Sequence, residues 1–316
     1  MPGSAEAMKV FPAAPEPAAF GSGEGVLFWY GAEHVARAEN SRRYRIENRL
    51  VHLPLARSHT GRRVPDAVLC DVRLVLAVRP FVDGVARSEL ERLRARGLAV
   101  WADYDDLLFQ GQIDDFPNAR KFWQRLRWRR RLPVYRDGLD AFDAFTCTTA
   151  LIAEALRVAR PGTEVHLVPN VPSRAWIEQG WTQYGQLACK PGSPKVLRYF
   201  PGSPSHDEDF ATVEDALARV LHEVPELELE IVGYLNFQPR KFPRGRVRHR
   251  PKVPYRELPA LLLPTWLNLV PLAETPYSRA RSSIKQLEAE AFDVPSAVGG
   301  ASEIEGAIRA ALGRGR

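Results

Sequence analysis

From Val196 to Gly233 the chain reads as a strand, a loop, a helix and a second strand, the unit from which parallel α/β sheets are built. Val196-Leu197-Arg198-Tyr199-Phe200 has the apolar, β-branched and aromatic make-up of a buried strand. It runs into Pro201-Gly202-Ser203-Pro204-Ser205-His206, a turn-forming stretch. Ser205 and Glu208 have capping-box spacing, and Phe210, Val213, Leu217, Val220, Leu221 and Val224 mark one long amphipathic helix. Leu227, Leu229 and Ile231 then alternate up to Val232-Gly233. A strand–helix–strand unit of this kind predicts a parallel α/β sheet. Such sheets bind ligands at the carboxyl ends of their strands, where the loop from Gly202 to His206 lies.

A second stretch names the ligand chemistry. Ser283 and Gln286 have capping-box spacing, and Ile284, Leu287, Ala291 and Phe292 recur as an apolar stripe. The start of a helix offers amide N–H groups to phosphate, and Lys285 adds a full positive charge. Glu288, on the same flank, is able to accept two hydroxyls, as on a ribose. Together they fit a nucleoside diphosphate; the plainer reading is a surface helix with a weak Lys–Glu pair. Ser203 and His206 would meet a phosphate from the loop, and Arg279 or Arg281, just before the helix, would meet sugar or phosphate.

The chain has 316 residues, enough for two domains, and its hydrophobic content of 45% predicts packed cores. Residues 1–24 read as a flexible tail, 25–172 as a first domain, 173–193 as an interdomain linker and 194–316 as a second domain. In the first domain, strands are expected at 26–30, 50–53, 67–69, 74–78, 98–102, 144–148 and 165–168, with helices at 83–96, 120–131 and 149–158. In the second, strands are expected at Val196, Glu228, Arg246, Leu267 and Ser296. Asp103, Asp105 and Asp106 end one strand of the first domain, where they would bind sugar hydroxyls or take a proton. Holding a divalent metal is the alternative.

Cys70, Cys147 and Cys189 have neither disulfide nor zinc spacing. Cys70 and Cys147, in apolar surroundings, are expected to be buried, and a reducing cytoplasmic setting is the default. No run is long and apolar enough to span a bilayer, and the start lacks signal-peptide features. Net charge is +6, concentrated in Arg120–Arg131, where Phe122, Trp123 and Leu126 can share a helical face. That segment suits an anionic membrane surface, which would make the protein membrane-peripheral, or a nucleic-acid backbone, or packing on its own domain.

The run from Tyr199 to Phe210, then Leu229-x-Ile231-Val232-Gly233, Asn268-Leu269-Val270-Pro271-Leu272 and Ser283-Ile284-Lys285-Gln286-Leu287-Glu288, resembles the donor half of retaining nucleotide-sugar glycosyltransferases. It is similar to glycosyltransferase family 4, which implies the GT-B fold: two Rossmann-like α/β domains facing each other across a cleft, here in a compact version. The first half resembles that family more loosely, through Ala99–Phe109, Ala144–Leu151 and the basic turn Arg42-Arg43-Tyr44-Arg45. The resemblance implies transfer of a sugar, with retention, from a UDP- or GDP-type donor to a saccharide or lipid-linked glycan, with no metal required. It implies donor contacts from Gly202, Ser203, His206, Arg279, Arg281, Ser283, Lys285 and Glu288. Asp105, Asp106 and His206 are the candidates for catalysis, and Arg43, Arg45, Asp103 and Arg127 for the acceptor side. The chain departs from the family at Ala280, where an acidic residue is usual, at Asp293, where Gly is usual, and at Ser203 and His206, which replace an Arg and a Lys. Two other readings follow from the basic charge and these departures: glycosylation of a modified DNA base, and a non-catalytic nucleotide-sugar or nucleic-acid binder.

Overall fold

The computed structural model describes residues 17–31, 39–116, 119 and 121–313. The chain divides into two compact units: Pro12–Val171 with Arg279–Ser282, and Pro172–Ser278 with Ser283–Arg316. Each is built on one wholly parallel sheet.

The sheet of the first unit holds β1 (Val26–Tyr30), β2 (Arg57–Thr60), β3 (Leu74–Val78), β4 (Ala99–Tyr104), β5 (Ala144–Cys147) and β6 (Glu164–Leu167), in the order β2-β1-β3-β4-β5-β6. β1 and β3 are buried at every position, as expected of continuous apolar runs covered on both faces. The helix Gly84–Ala95 starts at Asp83, whose side chain accepts from the Ala86 amide at 2.9 Å. The helix Ala150–Ala159 starts at Thr149, which accepts from the Ile152 amide at 3.3 Å.

Three expectations change here. The stretch 50–53 begins on the last residue of a helical turn, Asn48–Leu50, and continues as a turn, and 66–68 is a 3-10 turn. The missing strand is β2, an edge strand of polar and mostly exposed residues. Residues 1–16 of the expected tail lie outside the described residues, but 17–24 are fixed. Phe20 is buried against Phe28 and Trp101, with ring centroids 6.3 and 5.6 Å away. An aromatic ring buried this fully anchors the segment to the core.

The sheet of the second unit holds β7 (Lys195–Tyr199), β8 (Leu227–Val232), β9 (Val247–Arg250), β10 (Leu267–Pro271) and β11 (Ser296–Gly299), in the order β11-β10-β7-β8-β9. Every pairing is parallel. The long helix expected from Phe210 to Val224 is broken in two, Asp207–Ala211 and Glu214–Glu223. Its apolar residues all still face the core formed with β7, β8, β10 and the helix Ala301–Gly313.

The stretch read as a linker, 173–193, is part of this unit. It carries the helix Arg174–Tyr184, whose Trp176 and Ile177 pack with Leu262, Leu263 and Phe292. Gly180 makes that packing possible, because a Cβ there would stand 2.7 Å from the Phe292 ring. Asp293, where the resemblance leads us to expect a glycine, adopts the left-handed conformation at φ 58°. Aspartate is one of the few residues that tolerates it, so the helix Ile284–Glu290 still turns sharply into Val294.

Candidate functional site

Within the second unit, the Gly202 loop and the Lys285 helix converge. β7 ends at Tyr199, and the chain turns through Pro201 and Gly202 into a 3-10 turn, Pro204–His206. Pro201 is held from behind, where the Tyr234 amide donates to its carbonyl at 3.2 Å. Gly233 has φ 136°, and a Cβ there would lie 2.0 Å from the same carbonyl oxygen, so only glycine fits against this loop. Ser203 Oγ and Ser205 Oγ are 2.6 Å apart and brace the loop internally.

His206 Nε2 lies 3.2 Å from Lys285 Nζ, and its Nδ1 lies 3.0 Å from Asp209 Oδ2. A ring protonated at Nδ1 satisfies both contacts: it donates to Asp209 and accepts from the ammonium of Lys285. Asp209 is itself buried, and its other oxygen accepts from the Ala273 amide at 3.1 Å and from Ser278 Oγ at 3.2 Å. Tyr199 lies under the site, with Lys285 Nζ 5.8 Å from its ring centre. One turn beyond Lys285, Glu288 is buried and accepts from the Tyr255 hydroxyl at 2.7 Å. Tyr255 in turn stacks on Trp176 at 4.5 Å and 11°.

The expected capping box at Ser283 does not form. Ser283 is exposed and makes no capping hydrogen bond with its side chain; only its carbonyl accepts, from the Gln286 and Leu287 amides. The two helices that start here are only seven and five residues long, so their dipoles are small. The positive character of the site therefore rests on the ammonium of Lys285 rather than on helix ends. Asp209, Tyr255 and Tyr199 are absent from the sequence-derived site. Asp209 had a signal, since a carboxylate three residues after His206 shares its helical face; Tyr255 reaches Glu288 from a distant loop and had none.

Arg279 ends the short helix Pro276–Arg279, and Arg279–Ser282 belong to the first unit, not to that of Lys285. There Thr149 Oγ1 donates to the Ala280 carbonyl at 2.9 Å, and Asn170 Nδ2 donates to Ser282 Oγ at 3.0 Å. Ala280 is fully buried.

In the first unit, Arg45 and Asp103, expected toward the acceptor, are both fully buried. Arg45 grips Asp103 with two hydrogen bonds, Nε to Oδ2 at 2.8 Å and Nη2 to Oδ1 at 2.6 Å. Arg49 adds a third at 3.3 Å, and Thr146 Oγ1 donates as well. Arg45 also donates to the Val168 carbonyl at 2.7 Å and to Asn170 Oδ1 at 3.0 Å. A single π-turn, Arg43–Glu47, aims Arg45 inward. Burial works against the charge of Asp103, but Arg45 and then Arg49 outweigh it and hold the carboxyl below its usual range. Arg45 and Asp103 therefore form an internal brace out of reach of any acceptor. Arg43 is half-buried beside the Tyr44 ring, and Arg127 is half-buried on the helix Phe122–Asp137.

Asp105 and Asp106 follow the carboxyl end of β4, with the Asp105 side chain largely buried and that of Asp106 partly exposed. Arg79 sits between them, with Nε 3.3 Å from Asp105 Oδ1 and Nη2 2.9 Å from Asp106 Oδ2, and donates to Ser41 Oγ at 2.7 Å. Arg79 has φ 49°, an uncommon value for a residue other than glycine. Burial, only partly offset by Arg79, raises the pKa of Asp105. A carboxylate with a raised pKa is better suited to taking up a proton. Among the described residues, no three His, Cys, Asp or Glu side chains are grouped to hold a metal ion, and no helix is long and apolar enough to cross a membrane. Cys147 is buried as expected, but Cys70 is exposed.

No protein-family model and no curated protein sequence matches this chain. Among solved structures it is similar to a sucrose-phosphate synthase from Thermosynechococcus elongatus, with a TM-score of 0.53 and 15% identity over 77% of this chain. The aligned part spans 65% of that enzyme. It is also similar to a putative UDP-N-acetylglucosamine 2-epimerase from Listeria monocytogenes (TM-score 0.49, 12% identity, 91% of this chain and 87% of the other). A trehalose 6-phosphate synthase from Burkholderia multivorans matches with a TM-score of 0.47 and 12% identity, over 76% of this chain and 62% of the other. The likeness to the sucrose-phosphate synthase is one of fold. With the two parallel sheets it places this chain in the GT-B class of α/β architectures.

Proposed function

We propose that this chain is a glycosyltransferase that takes a sugar from a nucleoside-diphosphate donor of UDP or GDP type. The observation that carries this reading is the 3.2 Å approach of His206 to Lys285. Two segments, 79 residues apart in sequence, set a cation and a polar ring at the carboxyl end of β7, where parallel sheets receive phosphates.

In the reaction, the bond from the anomeric carbon to the diphosphate oxygen breaks, and its electron pair leaves with the diphosphate. Lys285 and His206 stabilise that growing negative charge, and Asp209 keeps the His206 ring oriented. Glu288, positioned by Tyr255, binds the ribose. Gly202 and Ser203 let the backbone approach the phosphates. An acceptor hydroxyl forms the new bond to the anomeric carbon, and its proton passes to a base; Asp105 or Asp106 of the first unit is assigned this role. The acceptor is a saccharide or a lipid-linked glycan. Retention rests on the family resemblance alone. Arg279 and Arg281 remain assigned to the donor through the sequence pattern.

Incubation with UDP-glucose, UDP-N-acetylglucosamine, GDP-mannose and a panel of glycan acceptors tests this directly. The expected result is acceptor-dependent release of UDP or GDP, with the anomeric configuration kept in the product by NMR. Tight binding of these donors with neither release nor transfer would instead identify a binding protein. Transfer only to modified duplex DNA would keep the chemistry and overturn the acceptor.

A further inference from the structure

The helix Phe122–Asp137 carries apolar residues on two opposite faces. One face, Trp128, Leu132 and Tyr135, follows i, i+4, i+7 spacing and is anchored. Trp128 stacks on Phe116 at 4.2 Å, Tyr135 meets Phe81 edge-on at 5.2 Å, and Arg131 lies over the Phe81 ring at 4.8 Å. Leu132 and Tyr135 are buried.

The other face carries Phe122, Leu126, Arg129 and Arg130, again at helical spacing, with Trp123 beside them. Phe122 is 69% exposed and Trp123 75%, the two most exposed large apolar side chains among the described residues. Their rings pack edge-to-face at 5.1 Å and 72°. They therefore form one protruding wedge. Arg129 and Arg130 are exposed one to two turns on, while Arg125, also exposed, pairs with Asp114.

We propose that this outward face docks on an anionic lipid surface, with Phe122 and Trp123 entering the headgroup layer and Arg129 and Arg130 meeting lipid phosphates. The charge is complementary, and exposed aromatic side chains beside arginines suit the headgroup layer of an anionic membrane.

The test is co-sedimentation of the full chain with vesicles of phosphatidylcholine alone or with phosphatidylglycerol added. The wild type is expected to bind only the anionic vesicles, more weakly at high salt. Phe122→Ser with Trp123→Ser is expected to weaken binding at least about tenfold. Arg129→Gln with Arg130→Gln is expected to do so by a similar factor. Both are surface changes, and unchanged circular dichroism would show that the fold is kept. Equal binding to neutral vesicles, no binding to either kind, or wild-type affinity in both variants would overturn the proposal. So would tighter binding to a labelled oligonucleotide, lost in the same variants. None of these readouts depends on glycosyl transfer, so the docking face and the donor site can fail separately.

Discussion

Replacing Lys285 by Ala is expected to weaken binding of UDP or GDP, with or without the sugar, by about 30- to 1,000-fold in calorimetry. The range corresponds to about 2–4 kcal/mol, the usual cost of removing one partner from a desolvated, hydrogen-bonded charge pair. Lys285 is not replaceable by its surroundings. The helix it starts has only seven residues, and Asp209, on the far side of His206, carries the wrong sign for a phosphate. Glu288→Ala should cost less, about tenfold, and only for ligands with a ribose; inorganic pyrophosphate should not register it. Unchanged nucleotide affinity in a folded Lys285→Ala protein would remove the basis for a diphosphate site here.

The second large effect concerns stability. Asp103→Ala is expected to destabilise the first unit by about 3–5 kcal/mol, because two buried arginines lose their common counter-charge. Such a loss consumes much of a domain's usual margin, so poor expression or a strongly lowered Tm is the expected readout. The pH dependence fixes the sign. The folded pKa of Asp103 lies below its unfolded value of 3.8, so its contribution is complete above that value. It is lost as pH falls through the folded pKa. Asp105 works the other way: with a raised folded pKa it opposes folding once ionised, and that opposition fades as the pH falls. Urea melts from neutral pH downward should therefore show the gap between wild type and Asp103→Ala narrowing only in strong acid. A gap already closed at mild acidity would mean that Asp103 is not held ionised by Arg45 and Arg49.

The two halves differ in how openly the sequence displays them. In the second unit, apolar runs at Val196, Leu227 and Leu267 announce strands because parallel strands are buried on both faces. His206, Lys285 and Glu288 were legible because loop and helix each follow such a strand, and topology then brings them to one edge. The polar edge strand Arg57–Thr60 carries no apolar pattern and could not be found that way. Arg45 and Asp103 misled for a related reason. Charged residues read as surface residues unless their partner is known, and this partner lies 58 residues away. Phe20, set among Pro, Ala and Gly, looked like part of a tail because its packing partners lie beyond the local segment.

A crystal soaked with UDP tests the central claim most directly. The expected density places the diphosphate at the carboxyl end of β7, with oxygens about 3 Å from both Lys285 Nζ and His206 Nε2 and the ribose hydroxyls at Glu288. UDP bound away from Lys285, with the contact between His206 and Lys285 undisturbed, would contradict it.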